Sequence, residues 1–582
     1  MNRRAIGLCS ITLFLVIGFV LTDKKLFAAS DKGMQQKNTK RMPKAKIEEE
    51  IEENNIVVQH ADEGEEAEIA IDEFDIQQKQ KDVQRLVERG VEFCNNNSMP
   101  AICNVFTHTK TFVEGDLYLF LLDTKGVICA HGDREDMLWK NMWDYRDSFG
   151  ALAIQSMIKM ATSTGAWLTY GWAGAAKVSF VKKIQIEDKD YVIGCGFYPH
   201  SKKYAVIGLV KGAVGLFNQD VKSGYPVGDT FGAMGYSRSE RFVFGDLYLY
   251  ALDFDGIIRA QGEEPGLIGT NALERKDSQG KMVNKEIIEK LKQKDEGEGI
   301  WIEYHSKNAL KYTYAEKVKD RDGKYYFIAC GYYPEIDRDK TVELVRRGYQ
   351  FMKLSGVSVA AQEFSGKENT YRLGDLSLFV YDMKGLCIAE GNNLQLVGHN
   401  MYDEKDQDGR YIVREMIEQA KAGGGWVDFK KKNSFEAVYV EKIDMGVDSY
   451  IIGAAMFPVN KPETMALLVK SAIGDLQVHP EDIVFDKLIR RNGEFIRGDL
   501  YVFVLDLDGY CYAAGDHYEL IWQNMMDWKD DEGKPFVKNI IDGSSQGPDH
   551  YIYMFNKKTR VDYAERIEKN GKTYVVGSGF YK

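Results

Sequence analysis

The stretch "GDLYLFLLD", Gly115 to Asp123, decides how the rest of the chain is read. It returns as "GDLYLYALD" at Gly245–Asp253, "GDLSLFVYD" at Gly374–Asp382 and "GDLYVFVLD" at Gly498–Asp506, at steps of 130, 129 and 124 residues. Its aromatic and branched residues are those of a β-strand. The Asp that ends it opens a tight hairpin turn: "DTKG", "DFDG", "DMKG" and "DLDG". A segment that recurs at domain-sized intervals marks a repeated domain. A length of 582 residues independently suggests about four domains.

Each copy carries the same neighbours. Upstream stand "DVQRLVERGVEFC", "AVIGLVKGAVGLF", "TVELVRRGYQFM" and "TMALLVKSAIGDL". In the first, Val83, Leu86, Val87 and Gly90 recur at the spacing of one face of an amphipathic helix. Downstream come a second strand ("VICAHG" in the first copy), a polar-aromatic segment ("LWKNMWDYRDSFG"), a short helical pattern and three strands. The first of those strands carries Trp167, Trp301 and Trp426 in three copies, and Tyr551 is read as the counterpart in the fourth. Short connections predict an antiparallel sheet. The fold class is α+β, each unit a long N-terminal helix packed on such a sheet. The units span 81–203, 204–338, 339–461 and 462–582. The helix covers one face of the sheet and the polar-aromatic segment the other, where a pocket can form.

The formal net charge is −12, which excludes a nucleic-acid partner that would need a basic face. Residues 1–29 combine Arg3 and Arg4, an apolar run from Ala5 to Leu21 and the small residues of "FAAS". They read as a signal peptide or an N-terminal anchor through residues 5–22. Residues 30–80 are basic, then acidic, and read as a charged linker. The expected location is extracytoplasmic: periplasmic, secreted, or anchored in the inner membrane. Of eight cysteines, Cys94 and Cys103 flank the loop-like "NNNSMPAI" and form a disulfide candidate in an exported protein. Cys195 and Cys330 read as small core residues of a strand. There is no HExxH, P-loop or CxxC. "GSSQG" at 543–547 lacks the strand–turn–helix setting of a nucleophile elbow, and "DFDG" and "DQDG" lack the calcium-loop spacing. No enzyme activity, metal or cofactor is expected.

The order of helix, "GDLYLF" strand, Asp–Gly turn, "AH", loop Asn, "RD" or "KD", "GAWLTY", "KVSFV" and "GCGFY" resembles the single Cache domain of type 2, an extracytoplasmic PAS-like sensor module. All four copies carry most of the pattern, so the resemblance covers residues 81–582. It implies a pocket for a small molecule, with small organic acids among the family's ligands. Most relatives are receptors with an output domain. None follows the fourth copy, so the expected role is ligand binding or co-sensing beside a membrane receptor or kinase partner. Carried over by position, the ligand-binding candidates of the first unit are His131, Asn141, Arg146, Trp167, Tyr170, Trp172 and Lys177. Those of the second are Asn271, Lys276, Trp301, Tyr304 and Lys311. Arg146 and Lys177 suit an anion, and Trp and Tyr suit an apolar wall with a polar tip. In the third unit Glu436 stands where Lys is expected, which disfavours an anion there. Each candidate has a plainer reading: Trp as core, Asn as loop shaper or cap, His131 as structural, Arg146 in a surface ion pair. The alternative for the whole chain is a structural or protein-interaction repeat array.

Overall fold

The computed structural model describes residues 73–582 except 148–150, 236–241, 243, 367–368, 407–408, 432–433, 491–492 and 516. The expected signal peptide or anchor and most of the linker lie outside the described residues. Among the described residues no helix is long and apolar enough to cross a membrane.

Four long helices, Glu73–Asn95, Lys202–Ser223, Arg338–Ser355 and Lys461–Val478, each precede an antiparallel sheet. In unit 1 the strands lie in the order Ile128–His131, Phe120–Asp123, Lys189–Phe197, Ala175–Ile186, Ala166–Trp172. The other three sheets repeat that order. The turn after the quoted strand is built by its Asp: Asp123 Oδ1 accepts the backbone N–H groups of Lys125 at 2.9 Å and Val127 at 2.8 Å. Asp253, Asp382 and Asp506 do the same. This side-chain mimicry of a backbone turn is why Asp recurs there.

Strand alternation divides the core of each unit in two. In unit 1, Leu119, Leu121, Phe180 and Ile193 pack under Val83, Leu86 and Val87 of the long helix. Phe120, Leu122, Tyr170 and Val181 face the short helix Ala153–Met160 on the other side.

Two local expectations need correction. The first helix begins at Glu73, so residues 73–80, read as linker, are helical. Their charge pattern misled because Lys79 is buried and its Nζ lies 2.7 Å from Asp116. The loop-like "NNNSMPAI" runs into a second helix, Met99–His108, with extended Ser98 before it and Pro100 in its first turn, where a missing N–H costs nothing. The other units have matching short helices at Val227–Gly235, Val357–Phe364 and Glu481–Leu488. Cys103 therefore sits on a helix, and the expected bridge is absent: Cys94 and Cys103 are buried free thiols. Burial pushes the Cys94 thiol up to about 12.

The glycine of the quoted motif joins units in pairs. The Gly115 N–H donates to the Asn556 carbonyl at 2.8 Å, and the Gly498 N–H donates to the Ala173 carbonyl at 2.7 Å, so units 1 and 4 exchange turns reciprocally. Units 2 and 3 repeat the arrangement. The Gly374 N–H donates to the Lys307 carbonyl at 2.7 Å, and Gly245 lies against the Phe457 ring. All four glycines have φ between 58° and 66°. A Cβ at Gly498 would come within 2.5 Å of the Tyr198 ring. Gly498→Ala is therefore expected to lower stability by about 1–3 kcal/mol. Gly533→Ala is the control, because Gly533 has φ +82° and open space around it; it should cost about 1 kcal/mol. Equal losses in thermal unfolding would mean that the docking adds nothing.

Candidate functional site

The residues of interest lie on the sheet face away from the long helix. Register sets Lys177 opposite Tyr170 and His131 opposite Phe120. Lys177 is 2% exposed. Its Nζ donates to the Tyr118 hydroxyl at 2.7 Å and lies 4.3 Å from the Tyr118 ring and 5.3 Å from the Tyr198 ring. Among the described residues no carboxylate sits within ion-pair distance of it. Burial pulls the Lys177 ammonium down to about 8, so it still carries its charge at neutral pH. Asp133, Asp116 and Asp499 act on this buried cation only from beyond ion-pair distance. Its direct partners are phenol rings and one neutral hydroxyl, and no contact among the described residues neutralises it.

His131 is also buried. Burial first, then Lys177 and Arg134, pull its imidazole down to about 3, so the ring is neutral. Its Nδ1 accepts the Arg134 backbone N–H at 2.9 Å, which assigns the ring proton to Nε2. The Tyr170 hydroxyl and Ser179 Oγ lie 3.1 Å apart. Trp172 stacks towards His131 at 6.5 Å and meets Tyr145 at 5.3 Å. His131, Tyr170, Trp172 and Lys177 together with Phe120, Ile154 and Met157 line a cavity of about 20 Å³, room for about one water.

Unit 2 repeats the cage. Lys311 Nζ donates to the Tyr248 hydroxyl at 2.8 Å and lies over the Tyr248 and Tyr333 rings at 4.6 and 4.9 Å. Tyr304 stands opposite it in register, and Gln261 takes the place of His131. Unit 4 differs: Arg560 Nε donates to Asp562 Oδ1 at 2.8 Å, and the Tyr553 hydroxyl donates to Asp562 Oδ2 at 2.6 Å. That buried cation is neutralised from within.

The structure thus brings together His131, Tyr170, Trp172 and Lys177, and likewise Tyr304 and Lys311. It places the other candidates elsewhere. Trp167 packs on Phe180 at 5.3 Å and Trp301 on Tyr314 at 5.2 Å, both against the long helices. Trp167 stands three residues from Tyr170, and an odd offset puts it on the opposite face. Asn141 and Asn271 are exposed loop residues whose Oδ1 atoms accept the backbone N–H of Trp143 and Leu273, each at 2.9 Å. Arg146 is half-buried and Lys276 exposed, and neither lines the cavity. The Asp after each is the structural member: Asp147 accepts the N–H of Ala151 at 2.8 Å and of Gly171 at 2.7 Å, and Asp277 those of Lys281 at 2.8 Å and His305 at 3.0 Å. In unit 4 it is His550, not Tyr551, that pairs in register as Trp167 does.

The sequence reading missed Tyr118 and Tyr198, the rings that hold the ammonium. A signal was there. Lys or Arg at 177, 311 and 560 goes with Tyr at 118, 248 and 501 and at 198, 333 and 581, whereas unit 3 has Glu436, Ser377 and Phe457.

A model of the single Cache domain 2 matches residues 232–347 and 357–447, and a Cache domain model matches residues 35–207. Among solved structures, a methyl-accepting chemotaxis protein from Vibrio parahaemolyticus is similar at 20% identity and TM-score 0.18, covering 21% of this chain and 90% of that one. A structure described as "Structural basis for carboxylic acid recognition by a Cache chemosensory domain" is similar at 21% identity and TM-score 0.17, covering 20% and 91%. The ligand-binding domain of the Pseudomonas fluorescens chemoreceptor CtaA with L-alanine is similar at 13% identity and TM-score 0.17, covering 43% and 87%. No curated protein matches the chain.

Proposed function

The chain belongs to the Cache domain family, and from that premise we propose that it is an extracytoplasmic, non-catalytic binding protein for small organic acids. The single observation that carries this is the buried Lys177 ammonium, whose one hydrogen-bond partner among the described residues is Tyr118 and whose other close neighbours are aromatic faces. A carboxylate entering the cavity would accept from Lys177 Nζ and from the Nε2–H of His131. Each charge-assisted bond contributes about 1.5–3 kcal/mol. Trp172 and Tyr145 at the rim would move to admit anything larger than a water. Lys311 is a second buried ammonium in unit 2. Burial alone would lower it, but Tyr248, Tyr304, Tyr333 and Asp375 hold it above its ordinary value, and Glu263 stands beside the cage, so the pH test below reads module 1. In this reading the four units are Cache modules, and the complex reports to a membrane receptor or kinase.

Size bounds the affinity. A four-atom acid such as acetate reaches at most about −6 kcal/mol, or tens of micromolar, so titrations must extend to millimolar ligand. The test is calorimetric titration of the whole chain with acetate and with acetamide. Acetate should bind and acetamide should not. Affinity should fall as pH rises through about 8, where Lys177 loses its proton, by about tenfold per pH unit above it. Acetate binding that is flat from pH 7 to 10, or absent at 10 mM, would overturn the reading.

The second reading, a structural or protein-interaction array, is favoured by the self-neutralised Arg560–Asp562 site and by the reciprocal docking of units. It predicts no acid response at all.

A further inference from the structure

Unit 3 keeps the frame of the site and inverts its charge. Register sets Glu436 opposite Phe429 and Glu390 opposite Phe379, the positions held by Lys177 and His131 in unit 1. Ser377 stands where Tyr118 and Tyr248 hold the ammonium, and it removes a whole ring from the space between them. Its strand neighbours alternate as in the other units: Leu376, Leu378 and Val380 pack under the long helix, and Phe379 and Tyr381 face the other core. Ser377 shares that second face. It is 3% exposed, and its Oγ has no hydrogen-bond partner.

The two carboxylates feel each other. Burial first, with Glu436 adding to it, pushes the Glu390 carboxyl up. Glu390 accepts the Asn392 backbone N–H at 3.0 Å. Glu436 is 7% exposed, and both its oxygens lie 2.9 Å from the Nζ of Lys431. Lys431 ends its strand with a side chain 46% exposed. The charges acting on Lys431 are Glu436, Glu390 and Glu404, so three acids face one base. Among the described residues no group of His, Cys, Asp or Glu could hold a metal ion.

We propose that unit 3 binds a small organic ammonium ion, held by Glu436, Glu390 and the hydroxyl of Ser377, with Phe379 and Phe429 as its walls. Lys431 marks the spot: a half-exposed ammonium already occupies the acid site and is free to withdraw into solvent when a ligand displaces it. Modules 1 and 2 then read acids, and module 3 reads amines. This rests on the reading that this sheet face is the ligand face of every unit.

The experiment uses the whole chain and two probes, ethylammonium chloride and sodium acetate, followed by calorimetry and thermal unfolding. Ethylammonium should bind the parent, at least tenfold more weakly in Glu436→Gln, and more tightly in Lys431→Met, where the competing ammonium is gone. Lys431→Met leaves Glu436 buried without its partner, so its melting temperature should fall and be restored by millimolar ethylammonium. Lys177→Met should abolish acetate binding to module 1 and leave the ethylammonium response unchanged. Absence of ethylammonium binding and of rescue in Lys431→Met would overturn the inference, as would binding unaffected by Glu436→Gln. Acetate binding alone would leave the acid reading standing while this one falls. Ethylammonium binding alone would do the reverse.

Discussion

A chain carrying Lys461→Ala should come apart first at the contact between units 1 and 4, losing about 3–5 kcal/mol. Lys461 Nζ lies 2.7 Å from Asp499 and 3.7 Å from Asp116, the two Asp residues of the quoted motif in the paired units. All three side chains are nearly inaccessible, and Asp116 Oδ2 has no hydrogen bond of its own. Removing the ammonium would leave two buried like charges sharing one space. Lys79 on Asp116 and His200 on Asp499, at 2.7 and 2.8 Å, offset part of the loss.

The pH dependence has a definite sign. Burial alone would push the Asp499 carboxyl up, but Lys461 and His200 outweigh it and hold it well below its ordinary 3.8. A depressed carboxyl contributes stability above its unfolded value and loses it as pH falls below that. The parent should therefore weaken as pH drops below about 4. Lys461→Ala should show much less of this, because its penalty is relieved when the carboxylates protonate. Replacing both partners, Lys461→Met with Asp499→Leu, should recover part of the loss, as buried ion pairs exchanged for apolar pairs commonly do. Denaturant unfolding followed by circular dichroism at pH 7 and at about pH 2.5, inside the window where the depressed carboxyl loses its contribution, reads all three. A Lys461→Ala loss below 1 kcal/mol would show that the cluster does not hold the pair.

The second large effect runs the other way. Lys177→Met should abolish acid binding to module 1 and, combined with Tyr118→Phe, should stabilise the unliganded chain. A fall of the Lys177 ammonium from its ordinary 10.5 to about 8 corresponds to roughly 3 kcal/mol spent on burying a charge. That cost is fully present below pH 8 and fades as pH rises towards 10.5. Met alone would strand the Tyr118 hydroxyl, losing about 1–3 kcal/mol, so the single variant should be near neutral and the double variant more stable by about 2–3 kcal/mol. Thermal unfolding of both variants at pH 7 and pH 10 tests this. A double variant less stable than the parent at pH 7 would mean that Lys177 is a structural cation and not a site kept under strain for a ligand.

The pairing of units also bears on how any site is tested. Tyr198, which covers Lys177, lies beneath Gly498 of unit 4, and Tyr333, which covers Lys311, lies beneath Gly374 of unit 3. A module cut out alone would lose the turn that packs on its own aromatic cover, so measurements belong on the whole chain.

The amino-acid order by itself determined the repeat, the α+β class, the antiparallel strands and the hairpin turns. All of these rest on local rules: a period of two residues in strands, 3.6 in helices, and Asp with Gly at a turn. It also marked Lys177, Lys311 and Glu436 as departures from one pattern. It could not tell which face of a strand a given aromatic takes, so Trp167 and Trp301 entered the candidate site and Tyr118 and Tyr198 did not. It read Lys79 as linker because a charged residue is solvated unless a partner is brought to it, and that partner, Asp116, comes from another element. The meeting of Asp116 with Lys461 and Asp499, and the seating of Gly115, Gly245 and Gly498 on their partners' rings, depend on residues hundreds of positions apart, and Gly374 reaches Tyr333 from the next unit. Such contacts leave no local periodicity, and only the tertiary structure decides them.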